Sequence, residues 1–449
     1  MTNDVTRRAF LQAAVATAVA GSGSVLDAQS STPTSAQNMS PASDSKAVRF
    51  GIIGVGMQGS GLLRNSVSLP GTQCVAAADL YEGRHTVAKE IAGANIKTTR
   101  SYRELLDDTS IECVIVAAPD HWHRRLVVEA AAAGKDVYCE KPMSHTIPDG
   151  ITMVDAVKKS GRILQVGSQR VSSPLFAKAK ELLASGAIGE LTQVELTIGR
   201  NSPTGAWEYP APADLSPATL DWTTWLGTAP KHEFDPLTFV RWRCWHEYGT
   251  GLAGDLMVHL ISGMQFVTGI NQPPDLASCV GGIFRWKDGR NMPDVQLVQL
   301  QYGAIAVTAR LTLTTNTPET TRIMGTHGLI EIIENTLTCT PQRGIDTTPS
   351  YYAKSFAKSL DEQYEREWHA KNDIMIHELP MEAGTILHGP TGDTRPHLAN
   401  FFEAVRTRRP VVEDVVFGHN AAAACHMANL AYFHKKSVTY EYARQNPLA

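Results

Sequence analysis

From Ala47 onward the chain alternates short, unbroken apolar runs with longer stretches whose apolar residues recur at helical spacing. Residues 48–53 read as a strand, the stretch after the following glycines as a helix to about residue 68, and 73–78 as a second strand ending at Asp79. The same alternation predicts helices over 82–92, 122–133 and 148–159, with strands over 113–117, 137–139 and 163–167. Runs of Val, Ile and Ala without polar alternation belong to strands buried on both faces, and the intervening helices supply the crossovers. The pattern therefore predicts an α/β fold with a doubly wound parallel sheet.

Past Arg170 the texture changes. A helix over 175–185 is followed by strand-like runs at 191–198, 276–284, 295–302, 305–314, 321–324 and 329–334. Several alternate apolar with polar, and Thr326-His327-Gly328 has the composition of a hairpin turn. This region is expected to be α+β, an open and mostly antiparallel sheet with helices over one face. Residues 341–395 look irregular apart from a charged helical stretch at 351–371, and read as a peripheral arm or lid. Helices at 396–406 and 417–433 close the chain, and no internal repeat is visible.

The N-terminus stands outside this pattern. Thr6-Arg7-Arg8-Ala9-Phe10-Leu11 precedes an Ala/Val-rich stretch and a small residue at Ala28, so residues 1–28 have the layout of an export signal resembling the twin-arginine type. Its apolar segment is short and interrupted by Gly and Ser, which argues against a stable membrane span. Residues 29–45, rich in Ser, Pro, Thr and Gln, read as a flexible tether. The expected location is periplasmic or otherwise exported.

A chain of 449 residues exceeds one ordinary core, so two domains are expected, at 46–170 and 171–449. A net charge of −4 and the lack of a basic stripe interleaved with aromatics argue against a nucleic-acid partner. The seven cysteines contain no CxxC pair, so neither a disulfide framework nor a zinc site is expected.

The chemistry is concentrated in a few short runs. Gly54-Val55-Gly56-Met57-Gln58-Gly59 lies between a strand and a helix, where a glycine turn seats a dinucleotide pyrophosphate on the helix N-terminus. Asp79 is twenty residues beyond Gly59, where a carboxylate accepts hydrogen bonds from the ribose hydroxyls. That favours NAD, with NADP left open by the nearby Arg84; the alternative for Asp79 is a helix cap. Pro119-Asp120-His121-Trp122-His123 ends a strand at the same sheet edge and is expected to touch the cofactor, with Asp120 alternatively only a cap. The two histidines diverge on a helix, so no metal is expected.

The run from Asp136 to Pro142 reads as a strand delivering Glu140 and Lys141 into the crevice where a nicotinamide would lie. Oxidising a carbinol requires a group that holds the hydroxyl as hydride leaves carbon, and an ammonium does this. Asp255 and His259, four apart on a predicted helix over 254–268, share a face. They form either an acid–base pair or a helix cap beside a core histidine. Between them in the chain and the first domain, Trp222, Trp225, Arg241, Trp242, Arg243, Trp245, His246 and Tyr248 make an aromatic and cationic cluster suited to sugar faces and hydroxyls, about half of it expected to be core. Arg241, Trp245 and Tyr248 are the expected substrate contacts.

These residues resemble the glucose–fructose oxidoreductase/inositol dehydrogenase/MocA family, Gfo/Idh/MocA, over about 48–433. The resemblance rests on the glycine turn, Glu140-Lys141-Pro142, Asp255-x-x-x-His259, and His397-x-x-Asn400-Phe401 through Asp414 and Gly418-His419. Trp222-x-x-Trp225-Leu226-Gly227 and Arg241-Trp242 resemble its exported branch, whereas Cys244-Trp245-His246-Glu247 departs from the aromatic-Trp-Asp run of that branch. The resemblance implies a Rossmann domain followed by a substrate domain whose open sheet mediates a dimer or tetramer. It implies Lys141 and His259 as the proton-handling pair, Asp255 orienting His259 or the substrate, and tightly bound NAD held around Met57, Gln58, Asp79, His123, Glu140 and Gln169. The implied activity is hydride transfer to or from a sugar, inositol or derivative, with net oxidation or internal cofactor recycling both open. The alternative on the same fold is an NAD-dependent glycoside hydrolase working by transient oxidation and elimination.

Overall fold

Six parallel strands form the first sheet of the computed structural model, which describes residues 47–342, 349–377, 385–392 and 394–448. The expected signal and tether lie outside the described residues. The strands are β1 (Val48–Ile53), β2 (Thr72–Ala78), β3 (Lys97–Thr99), β4 (Cys113–Val116), β5 (Asp136–Cys139) and β6 (Leu164–Val166), in the order β3-β2-β1-β4-β5-β6. Chain order reverses between β1 and β4, and the crevice above such a reversal is where this architecture receives ligands. Five of the strands match the apolar runs within two residues. The three-residue edge strand β3 carries Lys and Thr rather than a buried run, so periodicity does not reveal it.

The two faces of this sheet are covered unequally. On one, Val114, Val116, Val137 and Leu164 pack against Leu126 and Val127 of the helix Asp120–Ala132. On the other, Phe50, Ile52 and Tyr138 meet Leu398, Phe401 and Phe402 from the helix Thr394–Thr407. The first core is thus completed by a helix more than two hundred residues further along the chain.

The second sheet has nine strands: β7 (Leu191–Gly199), β8 (Leu276–Gly282), β9 (Val295–Tyr302), β10 (Ile305–Thr312), β11 (Thr317–Gly325), β12 (Gly328–Ile333), β13 (Thr336–Pro341), β14 (Thr385–His388) and β15 (Val438–Thr439). Their order is β14-β13-β12-β11-β7-β10-β9-β8-β15, and only β7 with β10 pairs in parallel. Alternation along β9 and β10 turns Val298, Leu300, Val307 and Ala309 inward and leaves Gln299 and Thr308 on the solvent side. Against the inner face lie the helices Val258–Thr268 and Val415–His434. The latter is apolar almost all round, as a helix buried between two layers must be, and it packs on both β6 and β8. Asp414 caps it by accepting from the amides of Val416 and Phe417, each at 2.9 Å. The charged stretch expected in the arm is the helix Lys358–His377, preceded by a short turn of helix at Tyr351–Ser355. Among the described residues no helix is long and apolar enough to cross a membrane.

Candidate active site

The turn between β1 and its helix is shaped by what a side chain would strike. Gly54 has φ of +90°, and a Cβ there would sit 2.5 Å from the Ala117 carbonyl oxygen. A Cβ on Gly59 would lie 2.1 Å from the Gly54 oxygen. Gly56 stands at the helix N-cap with no side chain to satisfy the first amides, which leaves donors and the positive end of the helix facing the crevice. The Arg84 guanidinium lies just above, its Cζ 3.3 Å from where a Gly56 Cβ would be. An uncapped helix start beneath an arginine fits a dinucleotide's pyrophosphate.

Asp79, at the end of β2, is engaged more closely than expected. Its carboxylate accepts from the amides of Val55 at 2.8 Å and Tyr81 at 3.0 Å, and from Arg84 at 3.3 Å. It thereby ties the glycine turn to β2 and keeps one of about four acceptor positions for a ribose hydroxyl. With Arg84, Arg100, Tyr102 and Trp122 it borders a recess beside the main cleft.

The main cleft has an open volume of about 390 Å3 and runs between the two sheets. Met57, Gln58, Asp120, Glu140, Lys141 and Gln169 line it from the first sheet, and Asp255 and His259 from the second. Glu140 is buried; it accepts from Gln58 at 2.9 Å and from the Lys141 amide at 3.2 Å, and burial raises its pKa. The Lys141 ammonium donates to the Asp255 carbonyl at 2.8 Å and to Asp255 Oδ1 at 2.9 Å. Arg243 Nε donates to the same Oδ1 at 2.9 Å. Burial alone would raise the Asp255 pKa, but the two cations outweigh it and hold the carboxylate well below its usual range. His259 goes the same way for a different reason: burial first, then the adjacent Lys141 charge, keep the ring neutral. Neither ring nitrogen has a hydrogen-bond partner among the described residues.

The helix carrying this pair differs from the simple i, i+4 expectation. Ala253–Met257 forms a π-helical turn, and the regular α-helix begins at Val258. A wider turn lifts the Asp255 carbonyl out of the regular ladder, where it receives Lys141; such turns recur at functional sites.

Several expected contacts lie elsewhere. Both ring nitrogens of His121 meet backbone carbonyls, of Tyr248 and Trp225, and those of His123 meet Pro142 and Ala118. His123 thus braces the loop carrying Lys141 and His121 the segments at Trp225 and Tyr248, and neither ring lines the cleft. Trp122 donates to the Trp225 carbonyl at 2.9 Å. Asp120 does line the cleft, yet accepts both the amide and the hydroxyl of Thr250, at 3.1 and 2.7 Å; burial pushes its pKa up to about 6. Arg241, Trp245 and Tyr248 are turned away from the cleft. Arg241 pairs with Glu208 and the Tyr209 carbonyl, Trp245 donates to Gly289, and the Tyr248 hydroxyl meets His232. Their places facing the cleft are taken by Arg200, Tyr209, Trp242 and Arg243. Trp242 and Arg243 belong to the aromatic and cationic cluster visible in the sequence; no local signal marks Arg200 or Tyr209.

Comparison with known proteins separates the two halves. Residues 48–168 match the model of the Gfo/Idh/MocA oxidoreductase family, described as an NAD-binding Rossmann fold. The match is confined to the nucleotide-binding half. Inositol 2-dehydrogenase of Salmonella paratyphi B is 35% identical over 147 residues, 32% of this chain and 43% of that enzyme. Inositol 2-dehydrogenase 2 of Saccharopolyspora erythraea is 31% identical over 209 residues, 46% of this chain and 56% of that enzyme. The matched stretch thus spans about half the length of these curated relatives. The fold as a whole resembles that of levoglucosan dehydrogenase in complex with NADH and levoglucosan, with a TM-score of 0.63 and 18% identity, covering 88% of this chain and 100% of that one. The nucleotide-binding half and the mixed-sheet half therefore have a known architecture together, while sequence likeness is concentrated in the first.

Proposed function

We propose that the protein is an exported NAD-dependent dehydrogenase acting on a hydroxyl of a sugar, an inositol or a close derivative. The observation that carries this is the ion pair at the cleft floor: Lys141 from the first sheet, bound to Asp255 from the second, beside an unpartnered neutral His259 and within the cleft lined by the helix start at Met57. Nicotinamide, when bound, supplies the hydride acceptor. Two of the three ammonium donors of Lys141 are engaged by Asp255, which aims the third at a substrate oxygen and stabilises the negative charge that develops there. His259 takes the hydroxyl proton. Because its pKa is depressed, the ring stays deprotonated below the ordinary histidine value of 6.5, so this group does not impose the usual acid inflection on oxidation.

Levoglucosan dehydrogenase and the inositol dehydrogenases support the substrate class, and Lys141 within Glu140-Lys141-Pro142, a run from which the NAD-dependent glycoside hydrolases usually depart, favours net dehydrogenation over the hydrolytic alternative. The Arg7-Arg8 signal supports export of a folded chain with its nucleotide retained, and the exposed Val280 and Leu297 on the outer face of the second sheet support a dimer or tetramer. Mass spectrometry of the nucleotide that co-purifies, followed by a sugar and inositol panel read by the near-ultraviolet absorbance of reduced nicotinamide, tests the activity. A nucleotide-loaded protein inert toward every polyol would defeat it. Replacing Arg7 and Arg8 by Lys should strand a reporter fusion in the cytoplasm, and light scattering should give a mass above one chain.

A further inference from the structure

The substrate side of the cleft presents guanidinium donors that its own residues leave unbound. Three cations face it: Lys141, Arg200 and Arg243. Lys141 and Arg243 share one carboxylate oxygen, Asp255 Oδ1. The remaining carboxylates of the cleft, Glu140 and Asp120, hydrogen-bond to the neutral Gln58 and Thr250 rather than to Arg200 or Arg243. Arg84, the fourth cation lining the cleft, is paired with Asp79, and Arg170 with Glu319.

Arg243 is fixed for recognition. Its guanidinium stacks over Trp242 at 4.1 Å, and only Nε is bound, which leaves the two terminal nitrogens without a partner among the described residues. Arg200 leaves the end of β7 beside the cleft; its side chain makes no hydrogen bond among the described residues, though it lies close enough to Glu319 to act on it electrostatically. Its stem is seated, however: a Cβ on Gly205 would come within 3.0 Å of Arg200 Cβ, so the absence of a side chain there lets the loop lie against it. Both arginines act electrostatically on Tyr209, which lies in the wall of the cleft with them.

We infer that the substrate is a sugar acid, a polyhydroxylated carboxylate whose anionic end is gripped by Arg200 and Arg243 while a carbinol lies at Lys141. A neutral sugar offers these guanidinium groups only hydroxyl oxygens. A planar carboxylate forms charge-assisted bonds to them and matches the donor fork of a guanidinium. The aromatic surfaces of Tyr209 and Trp242 suit the C–H faces of the sugar body. This assignment rests on the dehydrogenase reading but is tested apart from it.

The measurement is binding rather than turnover: tryptophan-fluorescence titration of the NAD-loaded protein with matched pairs, glucuronate against glucose, galacturonate against galactose, gluconate against glucitol. At least one acid should bind about tenfold or more tightly than its neutral partner, and the ratio should shrink as salt is raised. Arg200→Met should bring that ratio close to one, with Arg200→Lys in between; residue 200 is exposed, so an unchanged melting temperature verifies the fold. Equal or weaker binding of every acid, a ratio untouched in Arg200→Met, or tighter binding of glucose 6-phosphate than of any acid would overturn the assignment. Acids that bind selectively but are never oxidised would instead sink the dehydrogenase reading and leave this one standing.

Discussion

The two walls of the cleft are built by different means. The nucleotide-facing wall comes from consecutive residues and from backbone: a six-residue glycine turn, an uncapped helix start, and the ends of neighbouring parallel strands. The substrate-facing wall is assembled from side chains at 200, 209, 242–243 and 255–259, brought together only by the second sheet and its helices. A backbone-built wall can bind one kind of ligand in many proteins. A wall of scattered side chains can change its ligand without disturbing the fold, and family likeness is correspondingly concentrated in the first wall.

The contrast predicts where substitutions should be felt. Lys141→Met removes the group at which both walls meet, and turnover should fall by about a thousandfold, within the range for positioned acid–base groups, while nucleotide is still retained. Unchanged turnover would remove Lys141 from the chemistry. Asp255→Asn leaves Lys141 and Arg243 close together with no counter-charge, and should cost about 3–5 kcal/mol of stability in urea unfolding. A cost below about 1 kcal/mol would show that those cations reach water.

Acid should strike the frame behind both walls. Burial depresses His121, His397 and His419 to about 4, so the folded chain holds them neutral. In the unfolded chain they protonate near 6.5, so each contributes stability that is complete above that pH and is lost as pH falls toward 4, by up to about 3 kcal/mol. Asp120 has the opposite sign. Its raised pKa of about 6 makes ionisation costly, so its penalty grows as pH rises from about 4 to 6. Urea midpoints should therefore drop between pH 7 and 5, and Asp120→Asn should steepen that drop. A flat profile would mean the histidines are not sealed. The smallest effect is expected at Gly59→Ala: the added methyl meets the Gly54 carbonyl, and nucleotide affinity should weaken by about tenfold or more in a titration. Wild-type affinity there would break the backbone account of the first wall.

This division also explains what could be read from the chain. The strands around Gly54, Asp79 and Lys141 announce themselves because parallel strands buried on both faces must be apolar throughout. Lys141 and Glu140 were legible for the same reason, since the end of a buried strand is a fixed place in this architecture. Arg241, Trp245 and Tyr248 illustrate the opposite case. Composition marked the cluster as sugar-like, yet which member faces the cleft depends on Glu208, Gly289 and His232, distant residues that occupy their polar groups. His121 and His123 looked like cofactor contacts because they sit at the right edge; burial and two carbonyls apiece turned them into braces. The returning helix with Phe401 and Phe402 could be seen as a helix but not as a lid on the first sheet, because nothing local says which core an apolar stripe will join.

One oxygen atom has a consequence for the catalytic cycle. Asp255 Oδ1 holds Lys141 from one lobe and Arg243 from the other, and the Asp120–Thr250 bonds cross the same boundary. A parting of the lobes would break both contacts at once. Under the dehydrogenase reading proposed above, such a clasp favours a coenzyme that stays in place from one turnover to the next over one swapped for a fresh molecule each time.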